Sequence, residues 1–392
     1  MMKKNILFIN GHLDVGGCER SLVDVLKNID YSKYNVDLLL LEHKGDYIEE
    51  LPKEVEVKLH SLDDAFGPLF SSLLKAVKQK DWFSFWFRIE YLLSKKVNCF
   101  FYKKIRKLFK DLKKSYDIII AYRPGICTDL AAFSFCAKKK ISWWHHGEIN
   151  IADKEAENLN KAYKKMDVVV AVSKSSFDML TEKFSDVKEK MIVIPNMIIP
   201  SELIQKSREC KIESYGKAKL KIVSVGRLSP EKNMILCPKI AIKLKKMGFD
   251  FKWIVVGDGE EREKISYMVK EYGLEKNMLL IGRKNNPYSY IAEADIMVHP
   301  SVVESQGITI LESMALGTPV IVVRSSGPSE FIVSGENGYL VDSDVDDIIE
   351  KIQVLYSDYE RTKRIVDCAK KTIYQFEPEQ IMQNIDSIMK QG

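Results

Sequence analysis

Short apolar runs alternate with helical patterns along the whole chain, and this alternation limits the possible folds most. The runs are rich in β-branched residues and nearly all apolar, as parallel strands are when helices cover both faces of a sheet. Ten such runs occur, at 5–10, 36–41, 117–122, 141–144, 168–172, 221–226, 252–257, 278–282, 295–300 and 319–323. They predict an α/β protein with two doubly wound, Rossmann-like parallel sheets.

Chain length and one polar stretch divide the predicted strands between two domains. The chain has 392 residues, which is too long for one ordinary domain but enough for two full cores. The stretch 197–219 is polar and follows the turn signal I-P-N, so we place the boundary there. We expect an N-terminal acceptor-side domain over 1–200, a C-terminal donor domain over 201–375, and a last helix over 376–392 that returns to the N-terminal domain.

Composition excludes several classes of protein. A net charge of +5 is too mild to indicate nucleic-acid binding by itself. The apolar run near the start is too short for a signal peptide, and no run of 18 apolar residues occurs elsewhere. Seven cysteines are scattered without C-x-x-C pairs, which favours reduced thiols over disulfides or a zinc site. We therefore expect a cytoplasmic protein.

A basic loop follows the first apolar run of the second half. Arg227 and Lys232 stand five positions apart in G-R-L-S-P-E-K-N, residues 226–233. Arginine offers a planar fork of donors and lysine offers a point charge, so the two side chains can converge on one diphosphate. A solvated basic loop explains the same residues equally well.

Two glycine-rich loops follow predicted strands without matching a nucleotide-binding signature. Residues 11–20 lack the lysine of a P-loop, and residues 257–262 have arginine in place of the third glycine of a dinucleotide fingerprint. Gly16 and Gly17 open a helix whose positive end can face an anion. Gly257 can let a nucleotide approach the backbone. A plain turn is the alternative for each loop.

His145 and His146 follow the run 141–144 as adjacent histidines. Neighbouring side chains on a strand point to opposite faces, so we expect one histidine to face a cleft and the other to pack in the core. No further ligands at metal spacing accompany them. The acidic run 342–347 is interpreted as a helix cap because it lacks calcium-loop spacing. We find no Asp-x-Asp at the end of a strand and therefore expect no metal, and we expect no cofactor.

The segment E-S-Q-G-I-T-I-L-E, residues 304–312, places two glutamates around an apolar run. Gly307 and Ile308 begin a predicted helix, and their backbone amides are suited to hold a phosphate. Glu304 and Glu312 cannot bind that phosphate without a metal, because like charges repel. Carboxylates bind vicinal hydroxyls well, and a nucleotide sugar has such hydroxyls on its ribose and on its sugar. The segment therefore indicates a nucleotide-sugar site.

In this order the motifs resemble those of retaining glycosyltransferases of family 4. The resemblance extends from about residue 3 to about residue 385. It is carried by E-x7-E (304–312), G-R-L-x-P-E-K-N (226–233), G-G-x-E-R (16–20), V-S-K-S (172–175) and I-P-N (194–196). It implies the GT-B fold, in which two Rossmann-like domains face each other across a cleft.

The resemblance also implies roles for individual residues. Arg227 and Lys232 would hold the donor diphosphate. Glu304 would meet the hydroxyls of the donor sugar, and Glu312 would bind the ribose. The predicted catalytic set consists of Arg227, Lys232, Glu304 and the histidine described in the next paragraph.

The resemblance also concerns a histidine and Gln306. A histidine would lie by the donor sugar, and the alignment favours His146 over His145. Gln306 occupies the position before the helix-opening glycine and is a minor departure from the family pattern. It is assigned to substrate binding, and the other residues assigned there besides Glu312 are Gly16, Gly17, His145, Gly257, Gly307 and Ile308. Residues 65–115 match no family motif.

The unmatched segment 66–114 is basic and aromatic. Between Lys75 and Lys114 the net charge is +10, so the rest of the chain carries −5. Its aromatic residues are Trp82, Phe83, Phe85, Trp86, Phe87, Tyr91, Phe100, Phe101 and Tyr102. This composition suits an anionic membrane surface, where each basic residue contributes roughly 1 kcal/mol. The alternative is a packed helical pair, and no nucleic-acid module accompanies the segment.

The sequence therefore predicts a retaining, metal-independent glycosyltransferase at the inner face of the cell membrane. It would move a sugar from a nucleotide sugar, preferentially a UDP-sugar, to a glycan or lipid-linked acceptor in capsule or cell-wall polysaccharide synthesis. Two alternatives stay open: a nucleotide-sugar 2-epimerase of the same fold, and a non-catalytic partner subunit of a transferase complex.

Overall fold

The computed structural model of the chain describes residues 3–42, 45–62, 69–96, 100–210 and 214–390. Contacts between residues divide the chain into two compact units. The first is Met1–Pro195 with Met382–Gly392, and the second is Asn196–Ile381. Each unit is built on one parallel sheet, so the predicted α/β class with two Rossmann-like, doubly wound sheets is confirmed.

The first unit has a seven-stranded sheet in the order β3-β2-β1-β4-β5-β6-β7. Its strands are β1 Lys4–Asn10, β2 Tyr34–Leu40, β3 Val55–Leu59, β4 Tyr116–Ala121, β5 Ala137–Trp144, β6 Val168–Ala171 and β7 Met191–Val193. Its helices before the boundary are α1 Gly17–Asn28, α2 Leu69–Lys78, α3 Trp82–Lys96, α4 Phe100–Arg106, α5 Ile126–Asp129, α6 Asp153–Tyr163 and α7 Lys174–Lys183. The central strands are buried along most of their length, which explains their nearly continuous apolar runs.

The second unit has a six-stranded sheet in the order β10-β9-β8-β11-β12-β13. Its strands are β8 Leu220–Val225, β9 Phe251–Val256, β10 Met278–Leu280, β11 Ile296–His299, β12 Val320–Val323 and β13 Tyr339–Val341. Its helices are α8 Pro200–Ser207, α9 Leu236–Lys246, α10 Arg262–Glu271, α11 Tyr288–Ala292, α12 Ile308–Leu316, α13 Val345–Ser357 and α14 Tyr359–Ile373, followed by α15 Pro378–Lys390. Separate apolar clusters cover the two faces of this sheet. Because all strands are parallel, their carboxyl ends meet at one edge, where ligands bind in such sheets.

Each of the ten predicted strands is present, with ends that shift by a few residues, but three strands were missed. They are β3, β7 and β13, and all three lie at sheet edges. In β3 only Val55 is buried, and β7 and β13 have three residues each. A short or half-exposed edge strand lacks the long apolar run that identifies a central strand.

The polar stretch 197–219 belongs to the second unit and is not a free linker. Helix α8 lies within it, and Ile198, Leu203 and Tyr215 are buried in the core of that unit. The contacts divide the chain just before this stretch, between Pro195 and Asn196. Residues from Met382 onward are grouped with the first unit.

The basic aromatic segment forms helices α2, α3 and α4, and one face of it packs into the first unit. Phe87 is fully buried, Phe83 and Tyr91 pack against the same cluster, and all three belong to α3. The Phe83 and Phe87 rings contact the buried ring of Phe109 at centroid distances of 5.3 and 6.3 Å. The packed-helix interpretation is therefore correct for this face. The side chains of Phe100 and Phe101 lie outside the described part.

Within the described residues, no helix has both the length and the apolar character needed to cross a bilayer.

Candidate functional site

The strongest candidate site lies at the carboxyl edge of the second sheet, around the start of α12. Gly307 is the N-cap of this helix and has φ +82°, a left-handed conformation that glycine adopts without strain. No side chain caps the helix. Within the described chain, the backbone amides of Gly307 and Ile308 donate no hydrogen bond. These two donors and the positive helix end are suited to hold an anion, and the binding of a phosphate there stays a prediction.

Glu304 lies on the loop before α12 and is only 8% exposed. Its Oε1 accepts two hydrogen bonds of 2.7 Å, one from Lys232 Nζ and one from His299 Nε2. Burial alone would raise the pKa of Glu304, but the Lys232 charge and the His299 hydrogen bond lower this pKa to about 2. The group is therefore a carboxylate at neutral pH. Within the described chain its other oxygen, Oε2, accepts no hydrogen bond, which leaves it available for a ligand hydroxyl.

Lys232 and Arg227 lie on the loop that follows β8, and they differ in their surroundings. Lys232 is three-quarters buried and holds Glu304. An ammonium has three donors, so Lys232 can bind a phosphate oxygen as well. Arg227 is exposed and forms no ion pair within the described chain. Its fork of donors is open to a ligand, as a diphosphate-binding arginine requires.

Backbone contacts hold this basic loop against the loop that contains Glu304. The Val302 amide and the Ser301 hydroxyl both donate to the carbonyl of Glu231, at 3.0 and 3.2 Å. Ser229 Oγ in turn bonds the Glu231 carboxylate. The short distance between Lys232 and Glu304 is therefore supported by several contacts between the two loops.

Glu312 lies on α12 and is 5% exposed. The hydroxyl of Tyr288, at the start of α11, donates to its Oε1 at 2.9 Å. The hydrogen bond fixes the carboxylate in one orientation. Glu312 therefore lies on the helix whose first amides are suited to hold a phosphate, one turn after Ile308.

Gln306 is buried, and its side chain contacts the protein backbone. Its Oε1 accepts from the backbone N and the side-chain Nδ2 of Asn196, both at 2.7 Å, and its Nε2 donates to the Asn196 carbonyl at 3.2 Å. These three bonds tie the I-P-N turn to the start of α12. The visible role of the Gln306 side chain is to position this loop, and its assigned contact with substrate stays a prediction.

Gly257 has a clear structural reason to be glycine. Its φ is +148°, and a Cβ there would overlap the carbonyl oxygen of Gly226. A Cβ on Gly259 would likewise overlap the backbone of Leu228. The two glycines let the loops after β8 and β9 run side by side, which brings the basic loop to its observed position. Direct contact between Gly257 and a nucleotide stays a prediction.

In the first unit, Gly16 and Gly17 stand at the start of α1, as predicted. The carboxylate of Glu19 lies against Gly16, and it is 3.2 Å from Arg123 Nη1. A carboxylate of the chain itself therefore occupies space beside this helix start. An anion bound there would have to displace it or pair with Arg123.

His145 and His146 follow the end of β5, and His145 is half-buried while His146 is exposed. The His145 ring lies 4.8 Å from the ring of buried Tyr122. The His146 side chain is exposed, with its ring 5.3 Å from that of Trp144. Backbone contacts hold the turn, since Trp144 Nε1 and Ser176 Oγ both donate to the His146 carbonyl. Exposure favours His146 over His145 as the ligand-facing member.

Sequence reasoning missed His299, Tyr288 and Asn196, which position Glu304, Glu312 and Gln306. His299 is 2% exposed and ends β11. Its position in the apolar run 295–300 could have indicated a role in the site, because a histidine at the end of a buried strand needs a polar partner. Tyr288 and Asn196 lie 24 and 110 residues from their partners, and no local pattern predicts those contacts.

The statement that no Asp-x-Asp sits at the end of a strand was wrong. Strand β13, which the sequence did not reveal, is followed directly by the Asp-x-Asp of 342–344. Asp344 is the N-cap of α13, and its Oδ1 accepts from the amides of Asp346 and Asp347 at 2.8 and 3.0 Å. The interpretation of the acidic run as a helix cap is therefore confirmed. The described residues contain no group of three His, Cys, Asp or Glu side chains placed to share a metal ion.

The described side chains of the second unit can bind a phosphorylated, polyhydroxylated ligand. The amides of α12 and the cations Arg227 and Lys232 are donors for a diphosphate. Two buried carboxylates, those of Glu304 and Glu312, are acceptors for hydroxyls. Such a set suits a nucleotide sugar.

Comparison with protein families gives one match within this unit. Residues 207–372 match the family described as "Glycosyl transferases group 1". The matched region contains the basic loop, Glu304 and the whole of α12. The second unit thus contains a domain of the kind that glycosyltransferases carry.

A bacterial relative matches most of the chain. It is the N-acetylgalactosamine-N,N'-diacetylbacillosaminyl-diphospho-undecaprenol 4-alpha-N-acetylgalactosaminyltransferase of Campylobacter jejuni. It is 26% identical over 353 residues, which cover 88% of this chain and 87% of the relative.

Solved structures share the fold of the whole chain. Anabaena Alr3699/HepE in complex with UDP gives a TM-score of 0.69 at 19% identity, covering 98% of this chain and 99% of its own. TarM of S. aureus, also solved with UDP, gives 0.72 at 17% identity and covers 99% and 100%. At these identities the likeness shows the fold alone, which is that of GT-B glycosyltransferases, as predicted.

Proposed function

We propose that this chain is a retaining glycosyltransferase that uses a nucleotide sugar, preferentially a UDP-sugar. The proposal starts from the match to glycosyl transferases group 1 and from the GT-B fold. The acceptor is a glycan, preferentially lipid-linked, in capsule or cell-wall polysaccharide synthesis. The observation that carries this proposal is the grouping at the start of α12. There an uncapped helix start, Lys232 and an ionised, buried Glu304 lie on adjoining loops.

The proposed reaction exchanges one bond at the anomeric carbon of the donor sugar. The bond from this carbon to the diphosphate oxygen breaks, and a bond to the acceptor oxygen forms. The acceptor proton passes to the departing phosphate, so atoms and charges balance. Attack from the face that the diphosphate leaves gives retention without a covalent intermediate. No described carboxylate has to act as a nucleophile in this scheme.

The chain's donors would stabilise the charge on the departing diphosphate. Arg227, Lys232 and the amides of Gly307 and Ile308 take the part that a bound cation plays elsewhere. Fixed donors are effective because they need little reorganisation during the reaction. Glu304 Oε2 would accept hydrogen bonds from the donor sugar, and Glu312 would accept them from the ribose. His146 stays the predicted histidine of the donor-sugar site.

The relatives support the substrate classes. HepE and TarM were solved with UDP, which motivates the choice of a uridine nucleotide. The Campylobacter enzyme is named for an acceptor sugar on diphospho-undecaprenol, which motivates a lipid-linked acceptor. A lipid-linked acceptor places the enzyme at an anionic membrane surface on the cytoplasmic side.

Product analysis tests the reaction and separates it from the two alternatives. The protein is incubated with a panel of UDP-sugars and a glycan acceptor, and proton NMR follows the anomeric signals. Transfer with retention gives free UDP and a product with the anomeric configuration of the donor. A 2-epimerase would instead yield an epimer with no acceptor present. A non-catalytic subunit would leave every donor intact, and either result would overturn the proposal.

Metal removal should leave activity unchanged. Side chains and amides neutralise the diphosphate in this scheme, so treatment with EDTA should reduce the transfer rate by less than about twofold. The measurement is UDP release before and after EDTA, with a buffer-exchanged sample as the control. A large loss that Mn²⁺ or Mg²⁺ restores would show that a divalent cation takes part.

A further inference from the structure

Five large apolar side chains on the outer side of α2 and α3 are exposed. We call them the outer stripe. The exposed fractions are 82% for Phe70, 57% for Leu74, 44% for Val77, 56% for Trp82 and 49% for Trp86. Single exposed apolar residues are ordinary on protein surfaces, but five large ones on two neighbouring helices indicate an interaction site.

Helical spacing places the outer stripe on one side of each helix. Phe70, Leu74 and Val77 follow the i, i+4, i+7 rule on α2, and Trp82 and Trp86 follow i, i+4 on α3. The opposite sides are buried, with Ala76 at 1% exposure on α2 and Phe87 at 0% on α3. The two helices thus have one apolar face toward the core and a second apolar face toward solvent. Among the described residues, packing within the unit accounts for the first face but not for the exposed second face.

Exposed lysines accompany the outer stripe on the same helices and on the neighbouring α4. Lys75, Lys78 and Lys80 lie on α2 and the turn after it. On the other side, Lys104 of α4 is 3.8 Å from Glu90, which lies one turn beyond Trp86 on α3. The remaining exposed lysines of this region are Lys103, Lys107, Lys110 and Lys114. We call these lysines the lysine border; they lie on α2, on α4 or in the chain just after these helices, with few acids to offset their charge.

We propose that the outer stripe inserts into the interface of an anionic lipid bilayer and that the lysine border binds its headgroups. Apolar and indole side chains at the headgroup level, with lysines beside them, are the pattern of helices that lie in a membrane surface. This proposal rests on the proposed function, because a lipid-linked acceptor would then be presented at the same surface. The proposal also specifies which face of the first unit contacts the bilayer, and therefore how that unit is oriented on it.

The charges favour a bilayer over a second copy of the chain. If two outer stripes packed against each other, their lysine borders would be brought together. Like charges in such an interface repel each other and weaken it. Anionic lipid instead supplies the opposite charge over an extended surface.

Intrinsic fluorescence gives a test that needs no substitution. The chain has five tryptophans, and Trp143, Trp144 and Trp253 are at most 2% exposed. A change on adding lipid therefore reports on Trp82 and Trp86. Phosphatidylglycerol-containing vesicles should shift the emission to shorter wavelength, and brominated lipid should quench it. Pure phosphatidylcholine should act much more weakly. An emission unchanged by anionic vesicles would overturn the proposal.

Substitutions test the apolar contribution. The double variant Trp82→Ser, Trp86→Ser should lower the vesicle partition coefficient by at least about tenfold. A matched control replaces Tyr267 and Tyr359, which are 65% and 74% exposed on the second unit, with serine and should bind as the wild type does. If the control lowers binding as much as the stripe variant, the assigned face is wrong.

Charge reversal tests the lysine border separately. Changing Lys103, Lys104, Lys107 and Lys110 to Glu should lower binding to anionic vesicles by more than about 100-fold at low salt. Reversing Lys239, Lys246, Lys270 and Lys276, exposed on the second unit, should have little effect. High salt should weaken wild-type binding only in part, because burial of the indoles is not screened. Equal loss in both quadruple variants would contradict the proposal.

Two assays run in parallel distinguish failure of the membrane-surface proposal from failure of the proposed transferase function. UDP release with a water-soluble acceptor should be unchanged in the stripe and lysine variants, since both sets of residues belong to the first unit and the donor site is proposed in the second. Wild-type transfer without vesicle binding would refute the membrane surface alone. Vesicle binding without transfer would refute the proposed function and leave the surface intact. Stripe variants that abolish self-association but not vesicle binding would assign the face to a second copy.

Discussion

Replacing Glu304 with glutamine is expected to reduce glycosyl transfer at least about 100-fold while the fold persists. Glutamine keeps the size of the side chain but removes the negative charge that Lys232 and His299 hold in place. It also puts an amide where Oε2 should accept hydroxyl hydrogen bonds from the donor sugar. The loss should appear mainly in kcat, because the contact is made at the reacting sugar.

The control for this variant is Glu336→Gln, which changes an exposed glutamate of the same unit. It should retain wild-type turnover. Circular dichroism and thermal unfolding of both variants show whether the fold is kept. Wild-type turnover in Glu304→Gln would remove Glu304 from the reaction.

The same substitution should change how stability depends on pH. The pKa of Glu304 is lowered from 4.5 to about 2 in the folded chain. Its contribution, of the order of 3 kcal/mol, is therefore present above pH 4.5 and lost as the pH falls toward 2. Denaturant unfolding at several pH values should show a shallower acid decline in Glu304→Gln than in the wild type. Parallel declines would show that Glu304 is not the carboxylate responsible.

Replacing Arg227 with alanine should weaken binding of the nucleoside diphosphate by roughly 10- to 150-fold. A hydrogen bond to a charged group contributes about 1.5–3 kcal/mol, and this corresponds to that range. Arg227 forms no ion pair within the described chain, so its loss should leave the fold almost unchanged. Titration calorimetry with UDP measures the affinity directly.

Arg361→Ala is the matched control, because Arg361 is an exposed arginine on α14 of the same unit. It should bind UDP as the wild type does. If Arg227→Ala also binds UDP normally, the diphosphate role of Arg227 is wrong. A loss of equal size in both variants would indicate a general charge effect.

The sequence was sufficient to predict the central strands. Their residues are buried on both faces of the sheet, so each central strand appears in the sequence as a nearly continuous apolar run. It was insufficient for β13, whose three residues lie at a sheet edge. That omission hid the strand end before Asp342 and led to a wrong statement about Asp-x-Asp. The acidic run could still be interpreted correctly, because an N-cap is a local arrangement.

The candidate site shows the same division between local and distant information. The uncapped helix start at Gly307 follows from neighbouring residues and was predicted. The hydrogen bonds of Glu304 join residues 72 positions apart in the case of Lys232, and they depend on how the strands are ordered. The basic aromatic segment had two interpretations because α3 is apolar on two sides, and composition cannot tell which side is buried.

Thermal unfolding in the presence of nucleotide sugars tests the central claim most directly. A panel of UDP-, GDP- and ADP-sugars, with the matching nucleoside diphosphates, is added to the wild type and to Arg227→Ala. At about 100 times its Kd, a ligand adds about 2.7 kcal/mol, which should raise the Tm of the second unit by roughly 5–10 °C. The account predicts this rise for a UDP-sugar and for UDP, with most of it lost in Arg227→Ala. If no nucleotide sugar raises the Tm, or if the rise is the same in both proteins, the second unit does not bind its donor as described.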